Sequence, residues 1–535
     1  MDPLKTSSVS HTEARQSDRD SDVKIEKGQE NLHDAAERGH AATDRYGHAL
    51  VQFDPAAEKK LLRKLDLYIV PTVSVLYLFC FIDRANIGVY LELWNQDLLS
   101  VNNSLGNARI AGMGDDLKFT GNDFNIVLSV FYISYILFEI PVNMLCKYMG
   151  PGWFLPLTTV MFGILSLCTA FVHTFSEICA VRFLLGIFEA GMLPGVAYYL
   201  SRWYRASELT FRLGMYMVMA PLAGAFGGLL ASGILKMDKF GSLHGWRVLF
   251  VIEGLITCIL GLIAFVTLTD RPATARWLTP EEKDLAIARV KSERLGTTEV
   301  LDKMDKTKLL RGLSSPITMV TSFVFLLNNI TVQGLAFFTP TIVKSLYPNN
   351  STVSVQLHTV PPFVVGGFFV LLFSYLSWKL NKRQIFMVLS CPLLIIGYAM
   401  FLGSKDNHVR YGATFLVASS AFAFGALTNA VISSNVVSDT ARSGAIGLNV
   451  MMGNIGGLIS TWSYMSSDGP DYPIGNGLNL ATSSTIFIVT LFTLLWMKYD
   501  NKKRESRNVD AELGEKTPEE ISKLEWKHPA WRWKP

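Results

Sequence analysis

Several ionisable side chains fall in stretches of the sequence that are otherwise apolar. Asp83 and Arg84 lie in an apolar run near 67–87, Glu139 in one near 122–146, and Arg182 and Glu189 in one near 177–200. Each such group costs about 2.5–3.5 kcal/mol to place in hydrocarbon, so those that remain need a task. In the stretch RFLLGIFEAGMLPG, Glu189 follows Arg182 by seven residues. At 100° per residue the two share one helical face, about 10 Å apart along the axis. If the runs near 67–87 and 177–200 are neighbours, two cations and two carboxylates surround one cavity. A guanidinium grips a carboxylate with two parallel hydrogen bonds. A carboxylate in a partly dry cavity takes up a proton more readily than one in water. The chemistry expected is therefore capture of a small organic anion by Arg84 and Arg182, with Asp83 and Glu189 carrying a coupled proton. The competing expectation is that these are ion pairs locking helices together.

The remaining polar residues of the apolar runs are mostly amides. Asn328, Asn329 and Gln333 share one run, Asn429 and Asn435 another, Asn449 and Asn454 a third. Asn329, Gln333 and Asn435 are expected to form the neutral side of a substrate site, although amides in membranes also glue helices together. Glu139, two residues before Pro141, is expected to gate or to anchor a loop, together with Lys147, Lys379 and Arg383. Arg247, beside Trp246, reads as an anchor at headgroup level, and His173 as a loop residue.

The elements that must position these groups follow from composition. Of 535 residues half are hydrophobic, including 33 Phe and 18 Met, and the net charge is only +4. Mean hydropathy is +0.28. Charge is concentrated in 1–60, 270–315 and 499–535. A soluble enzyme, a disordered chain and a nucleic-acid binder are excluded by this pattern, and no catalytic constellation is visible. The six cysteines lie in or beside apolar runs without metal-ligand spacing, so free packed thiols are expected, with no metal and no cofactor. A span of about 30 Å of hydrocarbon needs about 20 apolar residues. Twelve runs qualify, near 67–87, 122–146, 153–173, 177–200, 212–235, 247–269, 317–340, 357–378, 385–403, 411–435, 443–465 and 479–498. They divide six and six across 270–315, where Thr279-Pro280-Glu281-Glu282 announces a helix start and an amphipathic helix to about Leu295.

The fold class expected is all-α integral membrane, the major facilitator plan of twelve helices in two six-helix halves around a midplane site. Its parts are a disordered tail 1–60, a bundle 61–269, a central loop 270–315, a second bundle 316–498 and a disordered tail 499–535. With both termini in the cytoplasm, the inner loops carry eighteen Lys and Arg against seven outside, which favours that orientation. Sequons at Asn349 and Asn350 then fall in an outer loop, open to glycosylation.

FIDRANIG (81–88), NARIAGMGDDLKFTGNDFNIVLSVFYISYILFEIPVN (107–143), RFLLGIFEAGMLPGVAYYLSRWY (182–204) and GWRVLFVIEG (245–254) occur in that order. Together they resemble the fungal allantoate permease family, in the anion:cation symporter branch of the major facilitator superfamily. The ending HPAWRWKP (528–535) is similar to that of its nicotinate-permease-like subgroup. The resemblance implies uptake of a carboxylate such as nicotinate, allantoate or pantothenate with a proton. By it, substrate and proton roles fall on Asp83, Arg84, Arg182 and Glu189.

Three departures stand out. The loop KYMGPGW (147–153) has one Lys where the family carries paired arginines. SWKLNKR (377–383) has Trp378 where the family carries an acid, so looser closure of the inner side is expected. Residues 89–106 are an insertion of a whole number of codons, which reads either as a retained intron or as a real outer loop. Sequencing the spliced transcript distinguishes the two. The function expected is a plasma-membrane, proton-coupled importer of a small organic anion, monomeric in the bilayer. Export of a metabolite and nutrient sensing without transport are the alternatives.

Overall fold

The computed structural model describes residues 54–97, 113, 116–119, 123–235, 246–291, 305–347, 352–464, 468, 471–514, 520, 521 and 523–535. The described chain is helical throughout. The first half holds α1 (Pro55–Tyr68), α2 (Val70–Asp97), α3 (Asp123–Met149), α4 (Pro151–Thr169), α5 (Phe175–Glu189), α6 (Met192–Trp203), α7 (Ala206–Met217), α8 (Met219–Leu235) and α9 (Trp246–Thr267). Two short helices follow, α10 (Pro280–Lys291) and α11 (Lys306–Leu313). The second half holds α12 (Pro316–Leu346), α13 (Thr352–Leu380), α14 (Gln384–Gly403), α15 (Asn407–Ala421), α16 (Ala423–Ser434), α17 (Asp439–Thr461) and α18 (Pro473–Glu505).

Proline explains most of the breaks between collinear helices. Pro71, Pro194 and Pro221 each lack the N–H that would continue the helical ladder, and α1/α2, α5/α6 and α7/α8 are interrupted just before them. In the second half α15/α16 is interrupted at Phe422 without a proline. The fourth span of the first half and the fourth of the second half are thus both discontinuous. Matched interruptions of this kind mark the binding region in transporters built from repeats.

Eleven stretches among the described residues are long and apolar enough to cross a membrane. Exposed Leu137, Trp153, Leu262, Val266, Phe368, Ile488 and Phe492 give them an oily outer surface. The expected span near 443–465 is not among the eleven. It is α17, 23 residues and about 34 Å long, and rich in Gly, Ser and Asn. It does not need lipid-compatible side chains, because most of its residues are buried among other helices. A Cβ on Gly456 would lie 2.1 Å from the Leu326 carbonyl oxygen, so only glycine admits this approach of α17 to α12.

α1, α10, α11 and residues 523–535 gather on one face of the bundle, called here the terminal face. Thr279 caps α10 as expected, its N–H on Glu282 Oε2 (3.0 Å) and its hydroxyl accepting the Glu282 N–H (3.3 Å). The helix is described only to Lys291, and 292–304 lie outside the described residues. Ion pairs tie α10 and α1 under the first half. Arg289 bonds Glu58 (2.7 Å) and Glu208 (2.5 Å), Lys64 bonds Glu282 (2.6 Å), and Arg212 holds Asp66 with two bonds of 3.0 and 2.7 Å. α11 instead packs on α17, with Gly312 against Ala441.

The last segment corrects an expectation. α18 continues to Glu505, and residues 523–535 are packed rather than disordered. Asn501 clasps Trp533 from both sides, accepting its N–H and donating to its carbonyl, each at 2.8 Å. Asn435 clasps Lys534 in the same way at 2.8 and 3.0 Å. Trp533 Nε1 donates to Asp500 (2.6 Å), and Trp533 is buried beside Trp496, Trp526 and Trp531. Residues 1–53 lie outside the described residues, while 54–60 already begin α1, with Asp54 accepting the Ala56 and Ala57 N–H groups.

Candidate functional site

Arg84, on α2, reaches a cavity between the halves. Its guanidinium bonds Glu189 Oε1 through Nε (2.9 Å) and Nη2, and lies over the rings of Tyr135 (5.0 Å), Phe131 (5.4 Å) and Phe81 (5.8 Å). Cys80 Sγ donates to the same carboxylate oxygen at 3.3 Å, and Glu189 Oε2 has no partner. Glu189 is the last residue of α5, at the break in the fourth span.

The cavity is lined from the first half by Tyr77, Phe81, Arg84, Leu193, Met217 and Ala220. From the second half it is lined by Asn328, Asn329, Gln333, Phe422, Gly425 and Asn454, among others. Among the described residues, Arg84 is the one charged residue in that lining. About 40 Å³ is open to water-sized bodies, room for a few waters, so a ten-atom acid would have to spread the walls.

Of the expected four-charge cluster, Arg84 and Glu189 form a direct ion pair, while Asp83 and Arg182 lie within electrostatic reach of each other and of that pair. Asp83 accepts the Ser166 hydroxyl, and Arg182 lies over the Phe250 ring at 5.8 Å. Neither Asp83 nor Arg182 lines the cavity. Arg182 and Glu189, seven residues apart on α5, lie about 10 Å apart along its axis, so the two do not meet the same partner on α2.

Asn329 and Gln333 do line the cavity, but Asn435 does not. Its amide is occupied by the Lys534 backbone on the terminal face. Glu139 is no loop anchor. It is fully buried, its two oxygens have no hydrogen-bond partner, and it lies within electrostatic reach of Arg84 and Glu189.

The helical layout and the central cavity agree with the comparisons. The Major Facilitator Superfamily pattern matches residues 73–461. The chain belongs to that superfamily. An uncharacterised transporter of Schizosaccharomyces pombe is 32% identical over 85% of this chain and 85% of its own length. The major facilitator-type transporter hxnP of Emericella nidulans is 29% identical over 88% of this chain and 94% of its own. Among solved structures, the proton:xylose symporter XylE bound to 6-bromo-6-deoxy-D-glucose shares the fold with a TM-score of 0.59. It has 15% identity and covers 80% of this chain and 95% of its own. The protein is therefore a multi-pass membrane transporter of the facilitator type, not an enzyme.

The terminal face of this facilitator is shut by contacts between its halves. Lys147 reaches Asp439 (3.4 Å) and the Thr440 hydroxyl, and Tyr198 donates to Asp439 at 2.7 Å. Asn143, one turn before Lys147, donates to the Ser443 carbonyl. Arg383 Nε donates to Thr210 Oγ1 across the halves at 3.2 Å. Lys379 is exposed on the same face. The two altered loops have not left this side open. Trp378, where an acid was expected, stacks on Phe211 (5.6 Å) and receives the Arg212 guanidinium over its ring at 5.3 Å. An aromatic surface replaces the missing charge. Asp439 escaped sequence reasoning, although an acid opening a polar helix opposite a lone lysine was the available signal.

At the opposite face Arg247 and Trp246 both bond Asp116, and Arg247 also donates to the Val172 carbonyl (3.1 Å), so it fastens loops. Asn349 and Asn350 lie outside the described residues. So do residues 98–106 of the insertion, while its first part continues α2 to Asp97.

Proposed function

We propose that this facilitator imports a small organic anion together with a proton, by alternating access, with its terminal face in the cytoplasm of the plasma membrane. The observation that carries this is the single cavity-lining cation, Arg84, held by the carboxylate of Glu189. An incoming carboxylate can take the two-pronged grip of Arg84 only if Glu189 gives it up. Glu189 released from its cation inside a buried site takes a proton, because a lone carboxylate there is strongly disfavoured. Anion and proton then enter the site as one event. Closure and opening of the two faces moves both, and re-formation of the Arg84–Glu189 pair expels them inward. Asp83 and Arg182, buried close by and within electrostatic reach of each other, can share the proton. Lys147 and Arg383 gate the cytoplasmic side through Asp439 and Thr210. The sequence resemblance to allantoate permeases supports the same cargo class.

The test is uptake of labelled nicotinate, alongside a carboxylate panel, in yeast lacking its own permeases, at acid and neutral outer pH. Acid-stimulated uptake that a proton uncoupler abolishes is expected, and Glu189→Gln should leave exchange but no uphill accumulation. Protein present at the cell surface with no uptake of any carboxylate would overturn the proposal and favour export or sensing.

A further inference from the structure

Glu139 is a buried acid that the exchange at Arg84 leaves unused. On α3, Tyr135, Glu139, Asn143 and Lys147 follow one another at four-residue intervals. They lie along one side of the helix and span about 18 Å. The Tyr135 ring sits 5.0 Å from the Arg84 guanidinium, at the cavity. Asn143 donates to the Ser443 carbonyl, and Lys147 meets Asp439. The stripe therefore runs from the cavity to the latch on the terminal face, against α17 of the other half. Two glycines of α17 keep this seam tight. A Cβ on Gly457 would lie 2.8 Å from Tyr132 Cε1, and one on Gly447 would lie 3.2 Å from Asn143 Nδ2. Glu139 occupies the seam between these two contacts.

Glu139 is fully buried there, and neither of its oxygens has a described hydrogen-bond partner. The charged groups within its reach are Arg84 of α2 and Glu189 of α5, with the Tyr135 phenol on its own helix. Arg84 is already committed to Glu189 through two bonds to Oε1. From α17 no ionisable side chain lies between Arg442 and Thr461. On α6, Tyr198 is bonded to Asp439 and Arg202 to Asp270, both at the terminal end. A carboxylate so placed, without a donor or a free cation, is far more costly than the neutral acid. In water the same side chain is ionised at neutral pH.

We propose that Glu139 is a proton-operated lock on the terminal face, protonated whenever α3 and α17 are closed together and ionised when they part and water enters the seam. The proton comes from the water at the open terminal face and returns to it. It is separate from the proton carried with the cargo. The inference rests on the alternating access proposed above, and not on the anion. The sign follows from the proton count. The shut state holds one proton more than the open state, so shutting is favoured as pH falls and opposed as pH rises. In the neutral range the ratio of shut to open molecules should change by up to about tenfold per pH unit.

Ser443→Cys tests this. Ser443 is buried in the seam in the shut state, and residues 439–461 contain no native cysteine. Maleimide labelling of that segment, read by mass spectrometry, therefore reports opening without interference from the other thiols. The full-length protein would be held in lipid nanodiscs, where one pH bathes both faces, with no cargo added. Lys379→Cys, exposed on the same face, corrects for the pH dependence of thiol chemistry. The corrected rate is expected to rise steeply with pH. With Glu139→Gln, neutral at every pH, it should be low and flat, and with Glu139→Asp the pH response should return. A flat rate in the otherwise unchanged protein overturns the inference without any substitution at 139. A pH response that persists in Glu139→Gln assigns the proton elsewhere and overturns it too. Ser443→Cys that stays unreactive at every pH overturns the opening of this face, and with it the alternating-access reading. Failure of carboxylate uptake in cells would leave this test untouched.

Discussion

The two halves of this facilitator solve the same problems with different chemistry. Around the cavity the first half offers one guanidinium and its carboxylate, while the second offers neutral amides. On the terminal face the first half is fastened by ion pairs among Glu58, Asp66, Glu208, Arg212 and Arg289. The second is fastened by tryptophans and two asparagine clasps on its own tail. Charge acts at a distance and can be exchanged for another anion. Amide-to-backbone bonds need contact and one geometry. The contrast suggests a division in which the first half performs the exchange of ions and the second supplies the shape against which it happens.

The most severe way to break the contrast is Arg84→Ala. It removes the one cavity cation and leaves Glu189 buried without its partner, at a cost of about 3–5 kcal/mol. Transport should vanish, and Arg84→Lys should restore little of it because a two-pronged grip is lost. Labelled-anion uptake, with surface protein quantified, checks both. Next, Trp533→Ala removes the centre of the tail's aromatic packing and should destabilise the second half by about 3–5 kcal/mol. Hydrogen exchange should then show faster opening of α16 and α17 while α1 and α10 stay protected.

Arg289→Ala is the counterpart in the first half. It takes one of two arginines from Glu58, which keeps Arg205 at 2.8 Å, and takes the guanidinium from Glu208, and about 1–3 kcal/mol is expected. High salt should loosen this face of the wild-type protein more than the tail's seat, because ion pairs are screened and clasps are not. Gln333→Leu sharpens the contrast at the cavity. Loss of this cavity-lining amide should raise the KM for the transported anion about tenfold, equivalent to about 1.4 kcal/mol, with kcat little changed.

The smallest effect concerns His528 in the tail. Burial lowers its pKa from the ordinary 6.5, and Nδ1 accepts the Ala530 N–H at 3.2 Å, which requires it unprotonated. The undocked tail therefore binds a proton that the docked tail refuses. Docking is at full strength above pH 6.5 and is lost as pH falls through the lowered folded value. Tryptophan fluorescence of the tail should report this loosening, and His528→Asn should flatten it.

Much of the fold was legible because hydropathy runs and loop charges report membrane spans directly. Thr279 and Glu282 announced α10 through local capping chemistry, which depends on residues three apart. The site was legible in part. Apolar surroundings flagged Arg84, Glu189 and Glu139, but periodicity along one helix does not tell which level of a neighbour it meets. That is why Arg182 was expected beside the anion and is found facing Asp83. Asn435 misled for a related reason. An amide near a helix end looks the same whether it faces a cavity or a strand of backbone arriving from 99 residues further along the chain. The tail itself, charged and proline-containing, carried the composition of a loose segment. Its order comes from tertiary seats that no local pattern encodes.

The composition of α17 has a consequence for how the protein is made. A segment opening with Asp439 and Arg442, and filled with glycine, serine and asparagine, gains little from oil. On leaving the ribosome it has no reason of its own to enter the bilayer. α12 and α3, whose grooves it fills, are synthesised before it, and the strongly apolar α18 comes immediately after. Its insertion must then be a cooperative act, with the earlier helices held at the translocation channel as a receptacle and α18 drawing the chain in behind. Substitutions that loosen the α12 groove at Leu326 or Asn329 would then surface first as failed biogenesis, with the nascent chain stranded and degraded, before any fault in the finished carrier could be observed.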